Sequence, residues 1–231
     1  MLDFSIVIPI YNENENIEKM VDEIQTVLSS KYKYELLFVN DCSEDESSIT
    51  LKRLKNINNF VVVNNKSNLG QSHSILNGIK YSNTNVIVTM DGDLQNNPDD
   101  IIKLFNVYKS NENLKLVSGI RKNRKDNTFK KISSIIANSI RSFILKDKCT
   151  DTGCGLKVFD KEIFLTFPFF EGIHRFLPAL FNGYGFEVSF INVDHRHRIF
   201  GKSKYGTFDR LFKGIFDIIR IRKIIRNNKK K

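Results

Sequence analysis

Cysteine is scarce in this 231-residue chain: Cys42, Cys149 and Cys154 are an odd three, which suits a reducing cytosol better than a disulfide framework. A secretory leader is also missing from the expected pattern, because the N-terminus enters a strand-like run at once, without a basic n-region or a cleavable apolar segment. Long apolar runs are lacking as well. Phe212–Ile225, among the most apolar stretches, is cut by Lys213, Asp217, Arg220, Arg222 and Lys223, short of the roughly eighteen uninterrupted residues of a membrane span. Glycine-rich phosphate loops are wanting too. The first strand-to-helix junction has no G-x-G-x-x-G, and Gly70-Gln71-Ser72-His73-Ser74 is not followed by Gly-Lys-Ser/Thr at P-loop spacing, which argues against dinucleotide oxidoreductases and P-loop NTPases. No repeat, low-complexity linker or second core pattern divides the chain, so one catalytic domain is expected over 1–206, with 207–231 as a basic helical appendage.

With 41% hydrophobic and 27% charged residues, the chain has enough apolar material for a globular core. Its net charge of +10 invites nucleic acid, anionic lipid or phosphorylated ligands. The charge is concentrated, however: residues 196–231 hold thirteen basic side chains against Asp209 and Asp217, leaving the first 195 residues near neutral. A basic end on a neutral body is unlike the broad basic face of a duplex binder, and no nucleic-acid partner is expected.

Short β-branched runs alternate with helix-period segments through the first half. Phe4–Ile10, Tyr34–Asn40, Phe60–Asn64 and Val86–Met90 read as buried strands, with helices over Asn16–Ser29, Glu46–Lys55 and Gln71–Tyr81. A helix over Asp99–Ser110, a strand over Leu114–Ile120 and a later strand over Phe186–Val193 extend the pattern. The fold class is therefore α/β, a mostly parallel central sheet flanked by helices. Between them, 121–131 reads as a basic loop, 150–160 as a Gly-rich turn, and Ile132 to Ile144 mark a further helix.

Ligands of an open parallel sheet collect beyond the C-terminal ends of its strands. There stand Pro9-Ile10-Tyr11-Asn12-Glu13, Asn40-Asp41-Cys42-Ser43, Met90-Asp91-Gly92-Asp93-Leu94-Gln95 and Gly119-Ile120-Arg121. Asp91 and Asp93, separated by one glycine, offer two hard oxygen donors, with Gln95 beside them. This set suits Mg²⁺ or Mn²⁺ completed by substrate phosphates. Taken alone, the same triplet is equally a polar turn between strand and helix.

Together these segments resemble the family 2 inverting glycosyltransferases of GT-A fold, and within them the dolichol-phosphate mannose synthase and polyprenyl-phosphate glycosyltransferase branch. The resemblance adds Asn68-Leu69-Gly70 with Asn77-Gly78, Arg124 and Asp126 after Arg121, the Asp151–Lys157 stretch, and Arg198 to Tyr205, covering roughly nine-tenths of the chain in order. It implies a Rossmann-like sheet and transfer of a hexose from a UDP- or GDP-sugar to a polyprenyl phosphate. Pro9, Tyr11, Glu13, Val39 and Asp41 would hold base and ribose. Asp91, Asp93 and Gln95 would hold the metal and donor pyrophosphate, Met90 and Gly92 would line the nucleotide sugar beside them, and Arg121, Arg198 and Lys204 would bind the phosphates. An ionised lipid phosphate needs no general base, and Arg124, Lys130, Lys131 and Ser134 are candidates to receive it. A sugar or glycan hydroxyl would need one, for which Asp151 is the candidate. Asn40 and Cys42 depart from the Asp and Gly usual in that motif. Many bacterial relatives continue into two membrane helices, so another route to the lipid is expected here.

That route is the segment Phe208–Arg226, with apolar residues at three- and four-residue steps and cations opposite. It is read both as a helix packed on the sheet and as an in-plane anchor on the anionic cytoplasmic face of a membrane, with a small membrane protein as a candidate partner. At about 1 kcal/mol per basic residue near such a surface, its last cations would supply several kcal/mol. His195 and His197 read as surface or packing residues rather than metal ligands, Cys149 and Cys154 as buried thiols, and His174 either as an acceptor contact or as a helix-start residue. A non-catalytic nucleotide-sugar or nucleic-acid binding module is the competing function class.

Overall fold

A computed structural model describes residues 1–55, 59–122, 139, 141–198 and 207–228. Seven strands form one sheet: β1 (Phe4–Ile10), β2 (Tyr34–Asn40), β3 (Phe60–Asn64), β4 (Val86–Thr89), β5 (Leu114–Arg121), β6 (Lys157–Asp160) and β7 (Glu187–Val193), in the order β3-β2-β1-β4-β6-β5-β7. Strands β1 to β4 are mutually parallel, and β7 runs parallel to β5. Only β6 is reversed, antiparallel to both β4 and β5. Its four residues, two of them Lys157 and Asp160, are too few to show alternation, so the sequence reads this stretch as turn rather than strand.

The sheet is covered on both faces. Phe4, Ile6, Ile8 and Ile10 of β1 join one core with residues from helices α1 (Asn14–Leu28), α2 (Ser47–Leu54) and α4 (Asp99–Ser110). Val7 of the same strand points to the other core, shared with Ile75 and Ile79 of α3 (Gln71–Tyr81). That second core also takes Phe164 of α5 (Lys161–Thr166), Phe181 of α6 (Leu177–Gly183) and Ile221 of α7 (Thr207–Asn228). Burial of successive β1 residues on opposite faces explains why this strand reads as a continuous apolar run. Gly78 lets α3 lie directly on the sheet, because a Cβ there would stand 2.4 Å from Val7 Cγ1. Among the described residues no helix is long and apolar enough to cross a membrane. Of the segment from Ile132 to Ile144, 132–138 and 140 lie outside the described residues, while 141–145 are helical.

Three of the junctions that leave the sheet edge contain a non-glycine residue in left-handed conformation: Asn12 (φ 53°), Cys42 (φ 59°) and Leu94 (φ 61°). These turn the chain sharply at the ends of β1, β2 and β4 and place the following side chains at one edge. Asn12 gains in return, since its Oδ1 accepts the Glu44 N–H at 2.8 Å and so ties the first junction to the second. Cys42 is exposed and sits where glycine carries no Cβ penalty. Cys42→Gly is therefore expected to stabilise the protein by about 1 kcal/mol, read as a higher urea midpoint at unchanged slope.

Candidate active site

The edge formed by the ends of β1, β2, β4 and β5 gathers most of the residues singled out in the sequence. Beyond β4, Asp91 Oδ1 accepts Gln71 Nε2 at 2.8 Å, and the Asp91 N–H donates to Asn96 Oδ1 at 3.0 Å. Asp93 Oδ1 accepts the Gln95 N–H at 3.2 Å, and Asp93 Oδ2 accepts Arg198 Nη2 at 2.7 Å. The same Arg198 nitrogen lies 3.8 Å from Glu13 Oε1, so one guanidinium spans the first and fourth junctions. Gly92 is required between the carboxylates, since a Cβ there would meet the Pro9 carbonyl oxygen at 2.9 Å.

Arg198 arrives from far along the chain by backbone pairing. Asn96 bridges antiparallel to His195, Arg196 N donates to the Gln95 carbonyl at 2.9 Å, and Gln95 Nε2 returns a bond to the Arg196 carbonyl at 3.1 Å. Gln95 thus acts as a fastener for 195–198 in addition to its place beside Asp93.

Burial, and then the charge of Asp93, push the Asp91 carboxyl up to about 6, while Lys157, Arg121 and Gln71 pull the other way. Two carboxylates that repel one another at a partly dry edge fit a divalent cation, which would relieve both effects. Among the described residues no cluster of three or more His, Cys, Asp or Glu side chains could enclose a metal. Asp91 and Asp93 would therefore hold an ion only with water or substrate oxygens completing its shell.

On the far side, Arg121 and Asp151 form a bidentate pair: Nε to Oδ2 and Nη2 to Oδ1, both at 2.7 Å. Asp151 also accepts the Arg121 and Gly153 N–H groups at 3.2 Å. Both its oxygens are therefore committed to holding Arg121 and the 151–155 turn, a geometry unlike that of a free general base. Asp41 is similarly occupied, taking Asn65 Nδ2 and the N–H groups of Leu69 and Gly70 at 2.7 to 2.8 Å. Val39 and Met90 are 0% and 1% exposed, with their side chains in the two cores. Pro9, Tyr11 and Glu13 are partly buried at the edge. Arg124, Lys130, Lys131, Ser134 and Lys204 lie outside the described residues.

The family model described as Glycosyl transferase family 2 matches residues 5–166. The chain belongs to this family. Among curated proteins it is 33% identical, over 226 residues, to the dodecaprenyl-phosphate galacturonate synthase of Rhizobium johnstonii, covering 95% of this chain and 66% of that protein. The chain thus spans just under two thirds of that relative's length. Glucosyl-3-phosphoglycerate synthase from Mycobacterium tuberculosis, solved with Mn²⁺, UDP and glucosyl-3-phosphoglycerate, superposes with a TM-score of 0.71 at 17% identity, covering 95% of this chain and 78% of that one. The same enzyme solved with UDP alone gives 0.71 at 17% identity, covering 98% and 80%. These likenesses establish the GT-A fold for this family 2 glycosyltransferase.

Sequence reasoning missed three residues of this site. Lys157 is 2% exposed, donates Nζ to the Cys154 carbonyl and supplies positive charge near Asp91. Arg141, buried with Asp147 at 2.5 Å, donates to the Cys149 carbonyl and so fixes the approach to the 151–155 turn. Gln71, the first residue of α3, is the third; it directly follows Asn68-Leu69-Gly70, and the sequence gives it no role of its own. His174 falls at the start of a short helical turn, Ile173–Arg175, with Nδ1 2.8 Å from Ser72 Oγ. Burial, with Lys157 and Arg175 nearby, pushes it down to about 3, so it is neutral.

The Asp91 shift has a direction that can be checked. Its folded-state pKa lies above the ordinary 3.8, so the native protein holds that proton more tightly than the unfolded chain, and the group's contribution to stability falls as pH rises from about 4 through about 6. Asp91→Asn is expected to raise the thermal midpoint of the metal-free protein at pH 7.5, with a gain that shrinks towards pH 5.

Proposed function

We propose that this family 2 glycosyltransferase moves a hexose from a UDP- or GDP-sugar to a polyprenyl phosphate, with inversion at the anomeric carbon, using Mg²⁺ or Mn²⁺ held by Asp91 and Asp93 beside Gln95. The observation that carries the donor side is the carboxylate pair at the end of β4 with Arg198 bound to Asp93. Bound there, the ion would serve as a Lewis acid for the departing nucleoside diphosphate. Arg198 and Arg121, with Lys204, neutralise phosphate charge, and Glu13, Tyr11 and Pro9 border the nucleoside side. The curated relative named for dodecaprenyl phosphate supports a lipid phosphate as acceptor. So does the Arg121–Asp151 pair, because an ionised phosphate needs no base while a hydroxyl would need a carboxylate that is not already bound at both oxygens. Arg124, Lys130, Lys131 and Ser134 follow β5 in sequence and are our candidates for the acceptor phosphate.

The protein would work as a peripheral enzyme on the cytoplasmic face of a membrane, with 1–206 as catalytic domain, 207–231 as basic appendage, and a small membrane protein as a further candidate partner. Helix α7 supports this: Ile221 is fully buried on the body while Phe216 and Ile219 are 70% and 62% exposed. One face is thus docked and apolar side chains remain for a bilayer, with Arg220, Arg222, Lys223 and Arg226 supplying attraction to anionic lipid.

Incubation with radiolabelled nucleotide sugar, divalent metal and a short polyprenyl phosphate should yield an acid-labile lipid-linked sugar; product formed only on glycan hydroxyls would refute the acceptor. Asp93→Asn should lower transfer by at least a hundredfold with an unchanged circular dichroism spectrum, and retained activity would remove the metal role. Flotation with vesicles containing anionic lipid should retain the protein at low salt and release it at about 0.5 M, where the Debye length falls below that of physiological buffer.

A further inference from the structure

Exposed apolar side chains are ordinary when scattered and informative when they adjoin one another. Leu69 precedes α3 at the edge where β1, β2 and β4 end. Its N–H donates to Asp41 Oδ1 at 2.8 Å, yet the residue is 40% exposed. Within the first turn of α3, His73 donates Nδ1–H to the Leu69 carbonyl at 3.1 Å and packs its ring on Phe169, with centroids 4.3 Å apart. Phe169 is 37% exposed despite that contact. The residues after it run on to α7: Phe170 lies under the Arg220 guanidinium at 5.6 Å, and a Cβ on Gly172 would stand 3.5 Å from Asp217 Oδ2. The exposed Phe216 and Ile219 directly precede these two α7 contacts, three residues apart and so on one side of the helix. Residues 169–172 therefore join the start of α3 to α7, and exposed apolar residues from three places in the chain stand along one rim. Glu171, the only acid in 167–172, turns to the start of α3, with Oε2 3.4 Å from His73 Nδ1.

We propose that Leu69, Phe169, Phe216 and Ile219 form one lipid-contact surface, so that the bilayer meets the body beside the end of β2 as well as along α7. This rests on the reading of the protein as a membrane-surface enzyme and adds which side of the body faces lipid. Two apolar side chains on α7 leave the body to rock about the helix axis. A second apolar contact off the helix limits that rocking and holds the edge towards the interface, where a polyprenyl phosphate carries its charged end. Lipid is the occupant that fits, because the rim is continuous with the cations Arg220, Arg222, Lys223 and Arg226, to which an anionic headgroup layer is complementary.

The chain has no tryptophan, so single replacements report on lipid directly. Phe169→Trp, Phe216→Trp and, at the far end of α3, Tyr81→Trp would be mixed with phosphatidylcholine–phosphatidylglycerol vesicles whose acyl chains carry bromine, a short-range quencher of indole. Phe169→Trp and Phe216→Trp should both be quenched, and Tyr81→Trp should not. Phe169→Asn should weaken vesicle binding by about tenfold, with an unchanged circular dichroism spectrum, as expected for withdrawing part of one aromatic ring from an apolar phase. Quenching of Phe216→Trp without Phe169→Trp overturns the proposal and leaves α7 as the lipid contact; quenching of Phe169→Trp alone overturns it by removing α7 from the surface. Equal quenching of Tyr81→Trp overturns it too, since no one side would then face lipid. No quenching at any position, with no flotation of the wild type, overturns the membrane reading as well. Phe169→Trp emission that shifts to the red on dilution without vesicles identifies a second copy of the chain as the occupant, against lipid. If Phe169→Trp fails to fold, Leu69→Trp takes its place in the comparison.

Discussion

The repulsion between two carboxylates separated by a single glycine governs the edge at which β1, β2 and β4 end. Asp91 and Asp93 cannot both be ionised at a partly buried edge without compensation, and the surroundings supply it from three directions. Arg198 binds Asp93, Gln71 binds Asp91, and buried Lys157 with Arg121 lends longer-range positive charge. None of these is local in sequence. The distant parts of the chain therefore meet at the edge for an electrostatic reason as well as a topological one, and the residual mismatch on Asp91 is what a cation would complete.

Much of the scaffold was legible beforehand because its signals are strong and local. Strands β1, β2 and β3 and helices α3 and α4 fall where the apolar runs and periodicities put them, since strands buried on both faces read as unbroken apolar segments. What escaped was short or reversed. β6 has four residues, and the helices α5 and α6 are six and seven residues long, so no period can develop in them.

The site was legible in its carboxylates and less so in its allocation of roles. Asp91, Asp93, Arg121 and Arg198 do come to one edge. Residue type alone, however, could not show that Asp151 bonds Arg121 through both oxygens, that Asp41 accepts the N–H groups leading into α3, or that the Val39 and Met90 side chains face the cores. These are statements about hydrogen-bond partners and facing, which depend on neighbours dozens of residues away. Asn77 illustrates the point: its Nδ2 supports Asn65 Oδ1 at 2.8 Å, and Asn65 in turn binds Asp41, so a motif residue on α3 serves the loop before it.

The reversed direction of β6 has one more outcome. In a fully parallel sheet only strand ends reach the reactive edge, and each must be followed by a crossover that returns the chain to the opposite side. A reversed strand presents its beginning there instead, so the turn 151–155 that leads into Lys157 enters the edge directly beside β4 and β5. Thr89 Oγ1 fastens that turn to β4 through the Gly155 carbonyl at 2.7 Å. The edge therefore receives the ends of β1, β2 and β4 from one half of the sheet and, through β6, the beginning of a strand from the other, with both halves meeting where Thr89 pairs with Lys157.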